Sequence, residues 1–396
     1  MSVVLPGRGS SGHQRNHAAG IRGFSTSVPR QENLRERIGV ADIAESGSSA
    51  GQTQIAVLNP LEEPGWDALV ETHPENSFFH SCAWARVLQE TYGHRPTYFC
   101  CVSDRKLVGL LPVMEVCSPL FGRRAISLPF TDFCHPLPAA RELNWDPYEL
   151  AKQRGQRRAW RYLECRGGVV RWNGSSTSLA FYGHFIELGK SIDLLFKGMT
   201  GPVRRGIKRA QASNLRVEFS QQMEAVRSFY ALHCMTRRRH GLPPQPVRFF
   251  ESLARHILAA DKGVVVSAFL GKQPVASAIF FYQGSEAVFK FGASDYAFQS
   301  LRPNNLVMWE AIKWLRQRGL QVLHLGRTSL SNAGLRRFKR GFGAMEERIE
   351  YARYDFKQRR FVSDCDRSAT PASRFLRLLP ASTLRQLGNL LYPHMT

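Results

Sequence analysis

Charged and polar side chains lie around the ends of two strands that the sequence predicts in its C-terminal half. Lys290 and Asp295 flank the end of the first strand, whereas Arg327, Thr328 and Lys339 follow the second. Cationic groups bind carbonyl and phosphate oxygens through charge-assisted hydrogen bonds, so these side chains could hold a carbonyl-bearing or phosphorylated substrate. Asp295 is also a candidate general base, although an aspartate in ASDYA is typical of a turn or a helix cap.

His240 is a second candidate for proton transfer. It ends the sequence TRRRHG and is followed by Gly241, which predicts a loop at the end of a strongly basic helix. The neighbouring arginines should lower the pKa of His240 and favour a neutral imidazole that can accept a proton. The alternative is that the cations of residues 237–240 only complement the negative end of the helix dipole.

A helix start is predicted between the two strands. Pro303 fixes the backbone for a first turn, and Asn304 and Asn305 are residue types that cap free N–H groups. An anionic or carbonyl-bearing substrate could bind at this helix N-terminus. The apolar positions that follow predict a helix ending near Gly319, then a strand, a turn at Gly326 and a basic loop.

Two groups earlier in the chain are candidates for substrate binding. Asp132 and His135, in PFTDFCHPL, follow a predicted strand and lie between prolines. A purely structural loop is the alternative, since Asp and Pro are ordinary turn residues. Arg204, Arg205 and Lys208 share one face of a predicted helix and could clamp a diphosphate.

Several other kinds of site are not indicated. Neither HExxH nor a clustered Cys/His set appears, which argues against metal-dependent hydrolysis, and no metal site is expected. The eight cysteines include no CxxC pair, so a reducing cytoplasm is the expected compartment. No apolar run approaches the roughly 20 residues that span a bilayer. The sequence carries no motif for reading nucleic-acid sequence, so no sequence-specific nucleic-acid partner is expected.

Strand and helix patterns alternate from Thr53 onward, which predicts an α/β (α+β) protein of two similar units. The seam is placed near residues 186–200, giving domains at 53–190 and 191–361. The first 52 residues are rich in Gly, Ser, Arg and Gln and are expected to be disordered. A misassigned start codon explains them better than a transit peptide, because acidic residues interrupt them. Residues 362–396 form a basic amphipathic tail.

The charge of the 396-residue chain is strongly positive, with a formal net charge of +22. Basic runs predict anionic partners: diphosphate-linked sugars, lipid-linked glycan precursors, an anionic membrane surface, or the phosphates of tRNA or coenzyme A. The alternative for each run is a solvated surface. In the tail, leucines alternate with Arg374, Arg377 and Arg385, so the tail could lie flat on the inner leaflet or pack on the core.

The most specific set of motifs lies between residues 305 and 343. It comprises Asn305, residues 308–310, residues 325–328, Phe338-Lys339 and the run GFG at 341–343. This set resembles the C-terminal signature of FemAB-like proteins. They are members of the wider GNAT-like acyltransferase superfamily, which includes peptidoglycan-bridge aminoacyltransferases and exopolysaccharide-associated acyltransferases. Upstream segments occur in the order that family shows, and the resemblance covers residues 53–361.

The resemblance implies two tandem GNAT-like domains, with mixed sheets flanked by helices. It also implies an N-acyltransferase, peripheral on the inner face of the cytoplasmic membrane, acting on an amine of a cell-envelope or exopolysaccharide precursor. The loop of Asp132 would line the acceptor groove, and the second domain would carry the catalytic candidates Asp295, Lys339, Arg327 and His240. Direct transfer needs a neutral amine and donors for the developing oxyanion, but no covalent enzyme intermediate.

One departure from the superfamily bears on the acyl donor. Acetyl-CoA enzymes hold pyrophosphate with a Gly-rich loop before the corresponding helix, whereas this chain has SLRPNN there. Acetyl-CoA is therefore not supported, which leaves aminoacyl-tRNA, an acyl-CoA bound differently or an acyl carrier protein as donor, with no bound cofactor. Two alternatives stay open: a peptidoglycan-precursor aminoacyltransferase using aminoacyl-tRNA, and a non-catalytic basic protein that binds membrane or nucleic acid.

Overall fold

Fifteen strands and ten α-helices make up the part of the chain that the structure describes. The structure is a computed structural model that describes residues 53–139, 145–167, 172–364 and 375–395. The predictions made for residues 1–52, and for tail residues 365–374, lie outside the described residues. The strands are β1 (Thr53–Leu58), β2 (Arg95–Pro96), β3 (Tyr98–Ser103), β4 (Lys106–Leu111), β5 (Met114–Ser118), β6 (Gly122–Ile126), β7 (Tyr162–Arg166), β8 (Leu179–Glu187), β9 (Leu215–Ser220), β10 (Gly263–Leu270), β11 (Gln273–Gln283), β12 (Glu286–Ser294), β13 (Val322–Ser329), β14 (Met345–Asp355) and β15 (Arg360–Phe361).

Helices of one to five turns connect and cover the strands. The α-helices are α1 (Trp66–Glu71), α2 (Cys82–Tyr92), α3 (Pro147–Arg157), α4 (Ile192–Gly198), α5 (Gly201–Gln211), α6 (Met223–Arg239), α7 (Val247–Leu253), α8 (Pro303–Gln317), α9 (Ala333–Gly341) and α10 (Ala381–Leu391). Their starts follow local chemistry: Asp146 caps α3 by accepting from two backbone N–H groups, with Pro147 in the first turn. Short 3₁₀ helices lie at Phe78–His80, Tyr296–Leu301 and Tyr392–His394.

One large mixed sheet joins strands from both predicted halves of the chain. Its order is β2-β5-β6-β7-β14-β8-β13-β12-β11-β10-β9, with β15 on β14, while β1, β3 and β4 form a smaller sheet. Strand β8, from the first predicted domain, lies between β13 and β14 of the second. The predicted α/β class with a mixed sheet flanked by helices is confirmed, whereas the division at residue 190 stays a prediction.

Helices cover both faces of the sheet, so its central strands are apolar on both sides. In β10, Val265 faces a core that contains residues of α2, α6 and α7. Its neighbours Val264 and Val266 face a second core that contains residues of α5 and α8. Alternate residues of a strand point to opposite faces, which is why a strand buried on both sides is a continuous apolar run.

The parallel strands β12 and β13 pair at their beginnings and then separate. Their paired residues run from Glu286 and Val322 to Val288 and His324. Beyond this point the carboxyl halves of both strands continue without mutual pairing, to Ser294 and Ser329 respectively. The separation opens a gap in the sheet where polar groups from elsewhere can enter.

Two local predictions after β12 are wrong. Gly326 forms no turn: its φ of 72° makes a bulge where the register of β13 on β8 shifts, and the strand continues to Ser329. The predicted basic loop is the helix α9, whose first turn is capped by the Asn332 side chain accepting from Leu335 N–H. Lys339 therefore lies on a helix, which fixes its direction.

The C-terminal tail packs on the protein through one side of α10. Leu384 and Tyr392 are buried, and Gly388 lies so close to Pro244 that a Cβ there would be 2.0 Å from the Pro244 carbonyl oxygen. Among the described residues, no helix combines the length and apolar composition that crossing a bilayer requires.

Candidate active site

Asp132 enters the gap between β12 and β13. One carboxylate oxygen lies 3.8 Å from Lys290 Nζ, and the other lies 3.8 Å from Arg327 Nε. Gly326 makes this approach possible, because a Cβ at that position would lie 2.5 Å from Asp132 Oδ2. The structure thus brings together three predicted site residues from both halves of the chain.

The loop that carries Asp132 has an unusual backbone. Leu128 and Phe130 both have φ near +60°, in the left-handed region that side chains disfavour. The conformation is held by hydrogen bonds: Thr131 Oγ1 donates to the Leu128 carbonyl at 2.7 Å, and Lys290 Nζ donates to the Phe130 carbonyl at 2.6 Å. Backbone strain of this kind persists only where the surroundings over-determine it, and it is concentrated at functional sites.

Lys290 is a buried cation in an aromatic environment. Its Nζ lies 5.5 to 5.8 Å from the ring centres of Phe79, Trp84 and Phe291. Burial lowers the pKa of Lys290, and the attraction of Asp132 opposes this effect. The amine is thus held by the Phe130 carbonyl, by ring faces and by a nearby carboxylate.

Lys339 reaches the same region from α9. Its Nζ donates to the carbonyl oxygens of Gly326 and Arg327, at 2.8 and 2.9 Å. Burial lowers the pKa of Lys339 to about 8, with repulsion from Arg327 adding to this and attraction from Asp132 opposing it. The bulge at Gly326 turns both carbonyls toward the amine, so the glycine serves Asp132 and Lys339 alike.

Arg327 is the cation of this group that a ligand can reach, since 35% of its side chain is exposed. Its guanidinium lies 4.3 Å from the ring centre of Phe181, and Nη1 donates to Tyr351 Oη at 2.6 Å. Tyr351 Oη in turn donates to the Asp132 backbone carbonyl. The sequence analysis missed Tyr351, because it lies on β14, and nothing local to the sequence indicates that β14 lies near β13.

A buried ion cluster on the neighbouring strands holds the backbone of the Asp132 loop in place. Arg166 donates through Nε to Glu164 at 2.9 Å and through Nη1 to the Thr131 carbonyl at 3.3 Å. Arg353 also pairs with Glu164, and these cations keep the pKa of Glu164 below its ordinary value although burial acts in the opposite sense. Sequence reasoning missed this cluster too, since its members are ordinary strand residues.

Thr328 faces the other side of β13 and takes part in a buried polar chain. Its hydroxyl lies 3.5 Å from His184 Nδ1, and His184 Nε2 lies 3.1 Å from a carboxylate oxygen of Glu346. Arg336 binds both oxygens of that carboxylate, at 2.7 and 2.9 Å. Burial and nearby Lys339 lower the pKa of His184, whereas Glu346 opposes them. This series of polar contacts, from Thr328 through His184 and Glu346 to Arg336, attaches α9 and therefore Lys339 to the sheet.

Asp295 and His240 lie at or near the carboxyl end of β12. Asp295 Oδ1 accepts from the N–H of Ala297 and so caps the following 3₁₀ helix. His240 ends α6, and burial together with Arg239 and Arg237 lowers its pKa, in the predicted direction. Asp295 thus contacts the start of the 3₁₀ helix, and His240 lies at the end of α6. The catalytic roles of both residues stay predictions.

The capping role predicted for two asparagines is wrong. The N-cap of α8 is Arg302, in the left-handed conformation, and its side chain makes no capping hydrogen bond. Asn304 Nδ2 instead donates to Ser294 Oγ at 3.1 Å, which ties α8 to the end of β12. Asn305 lies against Gly206, where an added Cβ would be 2.9 Å from its amide nitrogen. Because Pro303 starts the helix, both asparagines fall inside its first turn, facing neighbouring elements.

The remaining predicted binding residues lie on other surfaces. Arg204, Arg205 and Lys208 are on α5, and Lys208 lines an open cleft of about 340 Å³ with Phe196 of α4 and Trp309 of α8. His135 is exposed, and its ring lies against that of Phe133 at a tilt of 42°, with ring centres 5.2 Å apart. The structure brings Asp132, Lys290, Arg327 and Lys339 together and leaves these residues outside that cluster.

The comparisons with known proteins agree with this architecture. Residues 201–340, from α5 into α9, match a family model described as an acetyltransferase (GNAT) domain. The crystal structure of FemX is similar with a TM-score of 0.60 at 14% identity, covering 77% of this chain and 98% of that one. A tandem GNAT protein from the clavulanic acid biosynthesis pathway, without AcCoA, gives a TM-score of 0.50 at 10% identity, covering 77% and 98%.

The comparison with curated proteins found no match. At the identities above, the likeness to solved structures establishes the fold, and it confirms the predicted tandem GNAT-like arrangement. The domain match lies over the helices and strands that surround the β12–β13 gap. Residues 201–340 are therefore identified as a GNAT domain, and the chain has a FemX-like fold.

Proposed function

We propose that this protein is an N-acyltransferase that transfers an acyl or aminoacyl group to an amine of a cell-envelope or exopolysaccharide precursor at the inner face of the cytoplasmic membrane. The observation that carries the proposal is the convergence of Lys290, Arg327 and Lys339 on Asp132 where β12 and β13 separate. A gap lined by cations and one carboxylate suits a reaction in which negative charge develops on a carbonyl oxygen.

In this proposal, Arg327 and Lys339 stabilise the developing oxyanion and the anionic part of the donor. Lys339 is buried and donates to the backbone carbonyls of Gly326 and Arg327, so it contributes positive charge from behind the residues that a substrate contacts. Arg327 is held against Phe181 and by Tyr351 Oη, so its guanidinium is oriented before a substrate arrives. Groups fixed in advance stabilise a transition state without a reorganisation cost.

Asp132 attracts the acceptor amine in the same proposal. Its carboxylate oxygens lie 3.8 Å from Lys290 Nζ and 3.8 Å from Arg327 Nε, which is beyond hydrogen-bond distance. A neutral amine attacks the donor carbonyl carbon, a C–N bond forms, the bond to the donor oxygen or sulfur breaks, and one N–H proton leaves with that atom. Asp295 and His240 are the candidates to take the proton that an ammonium acceptor loses beforehand.

The donor stays a choice among aminoacyl-tRNA, acyl-CoA and an acyl carrier protein. The segment before α8 is the 3₁₀ helix Tyr296–Leu301, followed by Arg302 in the left-handed conformation. This arrangement differs from the glycine-rich loop that cradles pyrophosphate, and it supports a donor whose phosphates are bound by basic side chains.

Mass analysis of envelope glycan intermediates, from cells with and without the protein, tests the proposal. We expect one intermediate to lose a single acyl or aminoacyl increment when the protein is absent, and that increment identifies the donor class. Re-expression of the wild type should restore the increment, whereas Arg327→Ala should not. If no glycan or peptide precursor changes mass, the enzyme proposal fails and a non-catalytic binding role replaces it.

A further inference from the structure

Three stretches that are far apart in sequence meet on one side of the molecule and share a composition. Residues 117–127, 235–250 and 375–395 contain two, four and two arginines respectively, and none contains Asp or Glu. Arg124 Nη2 donates to the His394 carbonyl at 2.8 Å, and Arg237 Nη2 donates to Tyr392 Oη at 2.9 Å. These contacts join the three stretches into one surface, which we call the arginine-rich face.

The arginine-rich face also carries most of the exposed apolar side chains. Among the described residues, nine of fourteen exposed large hydrophobic residues lie in it, including four that are 66% or more exposed. The nine are Leu120 69%, Phe121 45%, Met235 48%, Leu242 37%, Val247 41%, Phe375 66%, Leu378 77%, Leu390 66% and Met395 47%. Soluble monomeric proteins rarely concentrate exposed apolar side chains in this way, and such patches mark interaction surfaces.

The helix α10 shows how the face is built. It turns Leu384 and Gly388 toward the protein, and Gly388 allows the close contact with Pro244. The same helix leaves Leu390 and Arg385 exposed to solvent. The hairpin tip between β5 and β6 presents Leu120 in the same manner, next to Phe121, whose ring centre lies 5.5 Å from the guanidinium carbon of Arg124. Two separately anchored elements therefore display apolar side chains among arginines.

This combination suits a lipid surface better than a nucleic acid. Acyl chains accommodate exposed leucines, and anionic headgroups accommodate arginines, so both kinds of side chain gain from one partner. A nucleic acid would bind the arginines through phosphates, but it offers aliphatic leucines little beyond its base faces. The lack of acidic residues in all three stretches removes repulsion from an anionic headgroup layer.

We propose that the arginine-rich face binds an anionic phospholipid surface and holds the candidate active site next to it. The inference deepens the proposed function and rests on it for the nature of the acceptor. The Tyr392 ring lies 5.8 Å from the ring of Phe130, whose carbonyl accepts the Lys290 hydrogen bond. The face that contacts lipid thus touches the loop that carries Asp132, which places an acceptor amine on a lipid-linked molecule near the site.

Co-sedimentation of the full chain with vesicles tests this proposal. We expect binding to vesicles that mix phosphatidylcholine with phosphatidylglycerol, and little binding to phosphatidylcholine alone. Leu120→Glu and Leu390→Glu, on the two different elements, should each weaken binding about tenfold, because each removes an apolar contact and adds repulsion. Arg385→Gln should weaken it about fivefold. Leu194→Glu, at a 57% exposed leucine of α4 outside the arginine-rich face, is the control and should bind as the wild type does.

The outcomes separate the two proposals, since the vesicle assay uses no acyl donor. Absent binding to anionic vesicles, or equal losses in Leu194→Glu and Leu390→Glu, overturns the lipid surface. So do variants that weaken binding to a double-stranded RNA probe while vesicle binding is unchanged. Acyl transfer to a soluble amine without vesicle binding overturns only this inference, whereas vesicle binding without any transfer overturns only the proposed reaction. Unchanged thermal unfolding of each variant shows that folding is intact.

Discussion

The ammonium group of Lys290 donates a hydrogen bond of 2.6 Å to the carbonyl oxygen of Phe130, a residue 160 positions earlier in the chain. Phe130 has a φ of 59°, so the donor holds a disfavoured backbone conformation in place. Two positions later the same loop sets Asp132 in the gap between β12 and β13. The geometry of the candidate site therefore depends on contacts between the two predicted halves, of which this hydrogen bond is one.

Replacing Lys339 with methionine should abolish most of the acyl transfer. The change removes the buried ammonium and leaves a side chain of similar length, so we expect the rate to fall about 100-fold, the low end of the effect of losing one group that stabilises transition-state charge. Arg337→Met, at an exposed position of the same helix, is the control. Steady-state rates with purified protein check the prediction, and equal rates in the two variants would contradict it.

The pH dependence of activity should reflect the lowered pKa of Lys339. Because that pKa is about 8 in the folded protein, the ammonium form is lost as pH rises through 8, and kcat/KM should decline there. In Lys339→Arg the guanidinium stays protonated, so the kcat/KM of this variant should not decline as pH rises through 8. An alkaline decline at the same pH in both proteins would assign it to another group.

The free energy of unfolding should report the same shift without any assay of transfer. Folding lowers the pKa of Lys339 from 10.5 to about 8, so the unfolded chain binds this proton more tightly. The group therefore opposes folding below pH 8, and this cost disappears as pH rises from 8 to 10.5. Relative to Lys339→Met, the wild type should gain stability across that interval in denaturant titrations. A constant difference over the same interval would mean that the lysine is not perturbed.

Gly326→Ala should damage both stability and activity. An alanine there must adopt a φ of +72°, and its Cβ would lie 2.5 Å from Asp132 Oδ2. Gly319→Ala provides a matched control, because Gly319 has a φ of +84° with nothing within 4 Å of the added Cβ. We expect Gly319→Ala to lose about 1 kcal/mol of unfolding free energy and Gly326→Ala to lose more, with reduced transfer. Equal losses in thermal or chemical unfolding would show that Asp132 moves aside at no cost.

Tyr351→Phe should remove the hydrogen bond that orients Arg327, while the aromatic ring at position 351 stays packed against Phe181. The hydroxyl accepts from Arg327 and donates to the Asp132 carbonyl, so its removal should cost about 2 kcal/mol, the usual size for hydrogen bonds to charged groups. Tyr354→Phe, on the same strand, is the control. Chemical unfolding measures the stability of both variants. If the site is catalytic, Tyr351→Phe should also raise KM for the donor, and an unchanged KM would separate Arg327 from donor binding.

The site residues that lie on elements consecutive in sequence could be predicted. Those that are brought to the site by long-range strand pairing could not. Lys290 and Arg327 lie on the consecutive strands β12 and β13, and Lys339 lies on the helix that follows, so a local pattern indicated that they lie together. The family resemblance placed the loop of Asp132 at the acceptor groove. Tyr351, His184 and Glu346 lie on β8 and β14, which are placed beside β13 by long-range pairing that no local period encodes. The predicted asparagine caps are wrong because the helix begins at Pro303, two residues earlier than an N-cap at Asn304 requires.

The position of β8 in the large sheet also constrains how the chain can be made and divided. Both of its neighbours, β13 and β14, are synthesised more than a hundred residues later, and β7 likewise waits for β14. A nascent chain ending at the predicted seam has two strands with open edges, and such edges pair readily with other chains. Expression of residues 53–190 alone would expose these edges, so the two halves behave as parts of one cooperative sheet and not as exchangeable modules.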